Sequence, residues 1–224
     1  SDARCFVLTG KSAVGKTNVL LALVDELTTR GDVCVLAYDG GQAKIEPSLT
    51  GFMSQDFDNR LKLADHRIEN IWREIAGIDG IEQRQVLLIV DALNENPQAK
   101  QLLGQLDELV AGPWPWLKVV ISSRPESWRS IKQEVKLTEG LYFRADAAET
   151  ANADHEPFVS SVQLNPFSPT ELPAAYAKYQ AAFGIRTPFE GLGRDVRAML
   201  RDPFNLWLVA KMYGRKGESG GVIP

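Results

Sequence analysis

The chain has 224 residues, 44% hydrophobic and 24% charged, with 25 Lys and Arg against 29 Asp and Glu for a net charge of −4. At about 150 residues per domain, that length allows one large domain or a domain with an appendage. The composition is globular and excludes disorder, a collagen-like repeat and a small disulfide scaffold, and the acidic balance argues against a nucleic-acid partner. No apolar run approaches the roughly 20 residues that span a bilayer. The opening Ser1-Asp2-Ala3-Arg4 lacks a signal-peptide layout. The expectation is a cytoplasmic protein with no membrane partner, in which Cys5 and Cys34, both inside apolar runs, are buried reduced thiols. His66 and His155 are too few and too separated for a histidine metal site and are read as solvated.

In chain order, Arg4 to Thr9 reads as a strand, Gly10 to Gly15 as a glycine-bounded turn, and Lys16 to Thr29 as a helix. That helix carries Val19, Leu20, Leu23, Val24 and Leu27 on one face and stops at Gly31. Val33 to Ala37 is a second strand, followed by the turn Asp39-Gly40-Gly41. Phe57, Leu61, Ala64, Ile68, Ile71 and Ile75 recur at steps of three and four, which predicts one amphipathic helix. Val86 to Val90 is a continuous apolar strand of the kind buried on both faces of a parallel sheet. A helix through Leu102, Leu103, Leu106, Leu109 and Val110, a fourth strand from Leu117 to Ile121 and a candidate fifth from Val159 to Leu164 complete the alternation. Strand–helix alternation predicts an α/β fold with a parallel sheet covered by helices.

From Ser168 the pattern is helical, with Ser168, Pro169 and Glu171 supplying an N-cap, a first-turn proline and a capping-box acid. The expected organisation is a nucleotide-binding domain over 1–165, a helical subdomain over 166–213 and a linker or tail over 214–224. The polar stretch from Ala145 to Pro157 reads as a loop. Trp114-Pro115-Trp116, and Tyr176, Tyr179 and Phe183 at helical spacing, read as packing residues.

Gly10 to Thr17 spells GKSAVGKT, which fits G-x-x-x-x-G-K-[ST]. Each position has a physical reason. Backbone N–H groups of Gly10, Lys11, Ser12, Ala13, Val14 and Gly15 wrap phosphates as an anion nest. The following helix points its positive end at them. Lys16 is a point charge for the terminal phosphates, the Thr17 hydroxyl ligates Mg²⁺, and Asn18 completes the nucleotide-binding set. The bland alternative is a glycine-rich turn with an exposed lysine.

Asp91 follows the buried strand, at the end where open α/β sheets bind ligands. It would hold Mg²⁺ partly through water, with Glu95 four residues on to orient the attacking water. The alternatives are an N-cap for Asp91 and a first-turn helix acid for Glu95. The next strand runs into Ser122-Ser123-Arg124-Pro125, where Arg124 could reach the terminal phosphate or be a surface residue before a helix. Lys16, Asp91, Glu95 and Arg124 form the candidate catalytic set.

These segments together resemble the NACHT branch of the STAND signalling P-loop ATPases. GKSAVGKT, LLIVDALNE, KVVISSRPE, LNPFS followed by Glu171, and RDPFNL from Arg201 to Leu206 stand in that family's order. The resemblance implies the sheet order 5-1-4-3-2 of an ASCE-type P-loop NTPase. It also implies ATP or ADP with Mg²⁺ as cofactors, and Pro203 packing on the adenine rather than merely opening a helix. By the same resemblance the protein switches between closed and oligomeric states with slow hydrolysis, other copies of the full-length protein being partners on activation. Asn94 stands where the family carries an acid, which sets against this a nucleotide-stabilised scaffold with negligible turnover. No winged helix follows by Pro224, so the chain is expected to be an excised, monomeric core. A GTPase or small-molecule kinase is disfavoured by the absence of an N/T-K-x-D motif and by Arg124.

Overall fold

The computed structural model describes residues 3–46, 48–62, 67–77, 85–143, 161–214 and 223. The apolar runs become β1 (Cys5–Thr9), β2 (Val33–Asp39), β3 (Gln85–Asp91), β4 (Leu117–Ser123) and β5 (Val162–Gln163). All strand pairings are parallel, in the order β2-β3-β4-β1-β5. This is the expected order, so the acid-bearing β3 is separated from β1 by β4. Val86 to Val90 is buried throughout, as a central strand covered on both faces must be. Of the expected fifth strand, Val162 and Gln163 pair with Leu8 and Thr9, while Val159 and residue 160 lie outside the described residues.

The helices of this part are α1 (Lys16–Arg30), α2 (Leu49–Leu61), α3 (Ile68–Ala76), α4 (Ala99–Ala111) and α5 (Pro125–Gln133). The apolar faces of α2 to α5 build one core with the sheet, in which Leu88, Leu102, Leu103, Leu106 and Ile121 have no exposed surface. Burying each such side chain stabilises the fold by about 1.5–3 kcal/mol. Trp72 of α3 meets Trp114 and Trp116 edge-on at 6.1 and 6.4 Å between ring centroids, which gives the Trp-Pro-Trp segment its packing role.

Three expectations are corrected. The single helix through Phe57 and Ile75 is two. α2 ends at Lys62, a left-handed residue, and α3 starts after the extended Arg67. The Ile68 N–H donates to Ser54 Oγ at 2.8 Å, so a tertiary bond replaces the intrahelical one that continuity would require. Ala64 and His66 lie outside the described residues. Second, Val19 is 44% exposed, and the inward stripe of α1 narrows to Leu20 with the half-buried Leu23, Val24 and Leu27. Third, Cys5 is buried but Cys34 is exposed, because β2 is an edge strand.

The chain divides into two compact units: residues up to Gly10 with Lys16–Gln163, and Lys11–Gly15 with the chain from Leu164 onward. The second unit contains α6 (Leu172–Phe183), α7 (Arg194–Leu200) and α8 (Pro203–Tyr213). Its own core is built on Leu172, Tyr176, Leu200, Leu206 and Ala210. The capping box forms reciprocally: Ser168 N–H donates to Glu171 Oε2 at 2.8 Å, and Glu171 N–H to Ser168 Oγ at 3.2 Å. These two Ser168 groups hold the Glu171 carboxyl below its ordinary range. Regular helix begins only at Leu172. Tyr176 is fully buried and its hydroxyl donates to Thr187 O, while Tyr179 and Phe183 stack at 5.8 Å. His155, the segment from Ala145 to Pro157 and residues 215–221 lie outside the described residues.

Candidate functional site

The parallel sheet brings the carboxyl ends of β1, β3 and β4 to one edge, where α1 also begins. At the end of β1, Gly10 N–H donates to Ser123 O of β4. The loop that follows needs unusual backbone: Ala13 has φ of 60° and Gly15 of 100°. Nothing lies within 4 Å of a Cβ built on Gly15, so conformation rather than space demands glycine there. Lys11 to Gly15 group with the second unit, as does Pro203, the first residue of α8 after the Asp202 N-cap. Asn18 is exposed in the first turn of α1.

Lys16 opens α1, and its ammonium donates to Gly10 O at 2.7 Å. Burial pushes this ammonium below its ordinary pKa. Asp91 and Glu95 pull it back up, and Arg124 adds to the lowering. The candidate catalytic residues therefore share one electrostatic neighbourhood.

Asp91 is the centre of the cluster. Its Oδ2 accepts from the Thr17 hydroxyl at 2.6 Å, and its Oδ1 accepts from the Ser122 hydroxyl of β4. Ser122 Oγ in turn accepts the N–H of Ala92 at 2.9 Å. Ala92 is left-handed, with φ of 58° and ψ of 46°, and it diverts the chain into a 3₁₀ turn over Leu93–Glu95. Such backbone costs about 1–2 kcal/mol per non-glycine residue. It is held here by Ser122 below and by fully buried Leu93 beyond. Asp91 is thus no N-cap, and Glu95 is not in the first turn of α4, which begins at Ala99. Glu95 is exposed.

Two neighbouring loops fasten onto this turn. Asn94 Oδ1 accepts the N–H of Arg124 at 3.0 Å. Asn96, 7% exposed, donates through Nδ2 to Gly40 O at 2.6 Å and Ala43 O at 2.9 Å, and its Oδ1 accepts Gln98 N–H. On the β2 side, Gly40 N–H donates to Asp91 O at 2.6 Å. A Cβ on Gly40 would lie 2.7 Å from that same oxygen, and one on Gly41 would lie 3.3 Å from Glu95 Cβ. Arg124 itself is exposed and stands at the N-cap position of α5, ahead of Pro125, without a side-chain capping bond.

Ser122, Asn96 and the close approach of Gly40 were not anticipated from sequence. The available signals were weak: a polar residue ending a strand adjacent to β3, and paired glycines after β2. The Thr17 and Asp91 oxygens form a donor set suited to a hard divalent cation, and Mg²⁺ takes few protein ligands beside phosphate and water. Among the described residues no group of three or more His, Cys, Asp or Glu is placed to hold a metal ion. None of the helices described is long and apolar enough to cross a membrane.

No family model matches the chain, and no curated protein matches it. Solved structures do. Cdc6p from Pyrobaculum aerophilum aligns with a TM-score of 0.46 at 12% identity, over 95% of this chain and 49% of that one. ORC1 of Aeropyrum pernix, solved in complex with DNA, aligns at 0.49 and 12% over 93% and 50%, and C. elegans PCH-2 at 0.45 and 13% over 98% and 57%. The chain spans about half the length of these proteins. Sheet order and phosphate loop define the class: an α/β P-loop NTPase fold in which one strand separates the loop-bearing strand from the acid-bearing strand.

Proposed function

We propose that the chain is an ATP- and ADP-binding core with slow Mg²⁺-dependent hydrolysis, of the STAND/NACHT signalling type. The nucleotide reading is supported by the Thr17–Asp91 hydrogen bond, 2.6 Å between two side chains 74 residues apart that we propose as Mg²⁺ ligands. Lys16 contacts the terminal phosphates, Arg124 reads the γ-phosphate, and exposed Glu95 orients the attacking water. The phosphate loop from Gly10 to Gly15 cradles the β-phosphate, and the adenine-contacting role of Pro203 is proposed from the motif resemblance alone. Bound Mg²⁺ would supply charge neutralisation at the phosphate oxygens, held by Thr17 and Asp91. The signalling assignment rests on the order of motifs along the chain, and partner copies of a longer protein belong to that assignment.

A second reading, a nucleotide-stabilised scaffold with negligible turnover, is favoured by Asn94. Its amide oxygen is engaged by Arg124 N–H, and an amide cannot accept a proton from water. Single-turnover hydrolysis with Mg²⁺ separates the two: bound ATP converted to ADP, and lost in Glu95→Gln, supports the ATPase. Tight ATP binding with no conversion leaves the scaffold. Displacement of a fluorescent ATP analogue by ATP but not by GTP is expected in either case, and equal displacement by GTP would refute adenine preference.

A further inference from the structure

We propose that Asn94 is a positioning residue that sets Arg124 and so determines how strongly the protein distinguishes a triphosphate from a diphosphate. The inference rests on the nucleotide-site reading above and assigns Asn94 a role other than water activation.

Arg124 is held from two directions. On the helix side, Pro125 occupies the first turn of α5, and Arg124 O accepts the N–H of Trp128, a residue only 2% exposed. On the other side its own N–H reaches outside the helix to Asn94 Oδ1. Because the donor is a backbone N–H, the Asn94 atom facing it must be the oxygen, and the amide orientation is settled by chemistry.

Asn94 is itself well anchored. It sits between buried Leu93, which pins the 3₁₀ turn into the core, and Asn96, which ties that turn to Gly40 and Ala43. The hydrogen bond therefore transmits the position of the Asp91 loop to the start of α5. Arg124 directly follows Ser123, whose carbonyl accepts the Gly10 N–H at the start of the phosphate loop, and its side chain is exposed, so a small displacement of the Arg124 Cα moves a charge at the phosphate end of the site. An acceptor at position 94 is the requirement. A carboxylate satisfies it as well as an amide, and alanine does not.

The test is a double-mutant cycle read as the ratio of ATP to ADP affinity with Mg²⁺. Arg124→Ala is expected to abolish the preference for ATP. Asn94→Ala should lower the ratio by at least about fivefold, a little less than the loss of one charge-assisted contact, with ADP affinity within about threefold. The double variant should show no further loss. A ratio in Asn94→Ala within about twofold of the natural protein, or effects that multiply in the double variant, overturns the proposal.

Amide hydrogen exchange at Arg124 provides a readout independent of nucleotide. It should accelerate in Asn94→Ala and remain slow in Asn94→Asp, and rapid exchange in the aspartate variant also overturns the proposal. If the natural protein binds neither nucleotide, the site reading fails and this inference with it. If it binds both and Asn94→Ala keeps the ratio, the inference alone fails.

Discussion

The Thr17 hydroxyl donates to Asp91 Oδ2 at 2.6 Å, joining the first turn of α1 to the end of β3 although β4 lies between β3 and β1. Asp91 is held from its other oxygen by Ser122, so the carboxylate is oriented before any ligand arrives. Preorganisation of this kind is what makes a cation site selective for a bound phosphate–metal pair. Thr17→Val is expected to remove the Mg²⁺-dependent part of ATP affinity. Adding Mg²⁺ should strengthen binding by about tenfold in the natural protein and by little in the variant. An unchanged Mg²⁺ response in titration calorimetry would count against both ligands.

Lys16 predicts a pH effect on binding. Burial holds its pKa low in the free protein, and a bound phosphate would raise it. The protonated form is the one that binds. Affinity is therefore full below the free-protein pKa, and it falls as pH rises through that value toward the higher pKa of the complex. Calorimetry in two buffers of different ionisation enthalpy should show proton uptake on ATP binding at alkaline pH. Lys16→Ala should lose about tenfold to a hundredfold in affinity and abolish the uptake. Proton uptake that survives in the alanine variant would assign it to another group.

Two glycines predict opposite effects of the same substitution. Gly40→Ala puts a Cβ 2.7 Å from Asp91 O and 3.0 Å from backbone atoms of Leu93, none of which is the tip of a flexible side chain. It should destabilise by about 1–3 kcal/mol, through overpacking beside the site. Gly104 lies inside α4 with nothing within 4 Å of its Cβ position. Gly104→Ala should therefore stabilise by about 0.5–1 kcal/mol. Urea unfolding measures both, and a stable Gly40→Ala would show that the β2 turn is not packed as described.

Alkaline stability should be limited by the larger unit. Tyr142 donates to Asp107 Oδ1 at 2.9 Å, and burial, then the neighbouring Cys5 and Asp107, push its pKa up. Burial pushes the Cys5 thiol up as well. A raised folded-state pKa contributes stability that is complete below the unfolded value, about 10 for tyrosine, and is lost as pH climbs through the folded one. Urea midpoints should begin to decline above about pH 8.5, the unfolded value of the Cys5 thiol, and more steeply above about pH 10, and the steeper part should be shallower in Tyr142→Phe, which costs about 1 kcal/mol at neutral pH. An identical slope in the phenylalanine variant would place the titration elsewhere, Tyr38 being the next candidate because burial and Asp56 raise it.

Local sequence was enough for the elements whose cause is local. The unbroken Val86–Val90 run has no choice but a buried central strand. GKSAVGKT carries Gly15 where the backbone takes positive φ, and Ser168 with Glu171 forms a capping box from residues three apart. The strand order was readable as well, through the resemblance of ordered motifs and not through periodicity. What depended on tertiary structure were bonds between distant segments. The apolar repeat from Phe57 to Ile75 favours one helix, but Ser54 satisfies the Ile68 N–H from another turn, and two helices result. Nothing around Cys34 marks it as exposed until β2 becomes an edge. Asn94 and Asn96 flank Glu95 with the same side chain, yet one accepts from Arg124, while the other donates to Gly40 and Ala43 and accepts from Gln98. A side-chain amide offers both a donor and an acceptor, and only the backbone group that the fold carries alongside decides which is used.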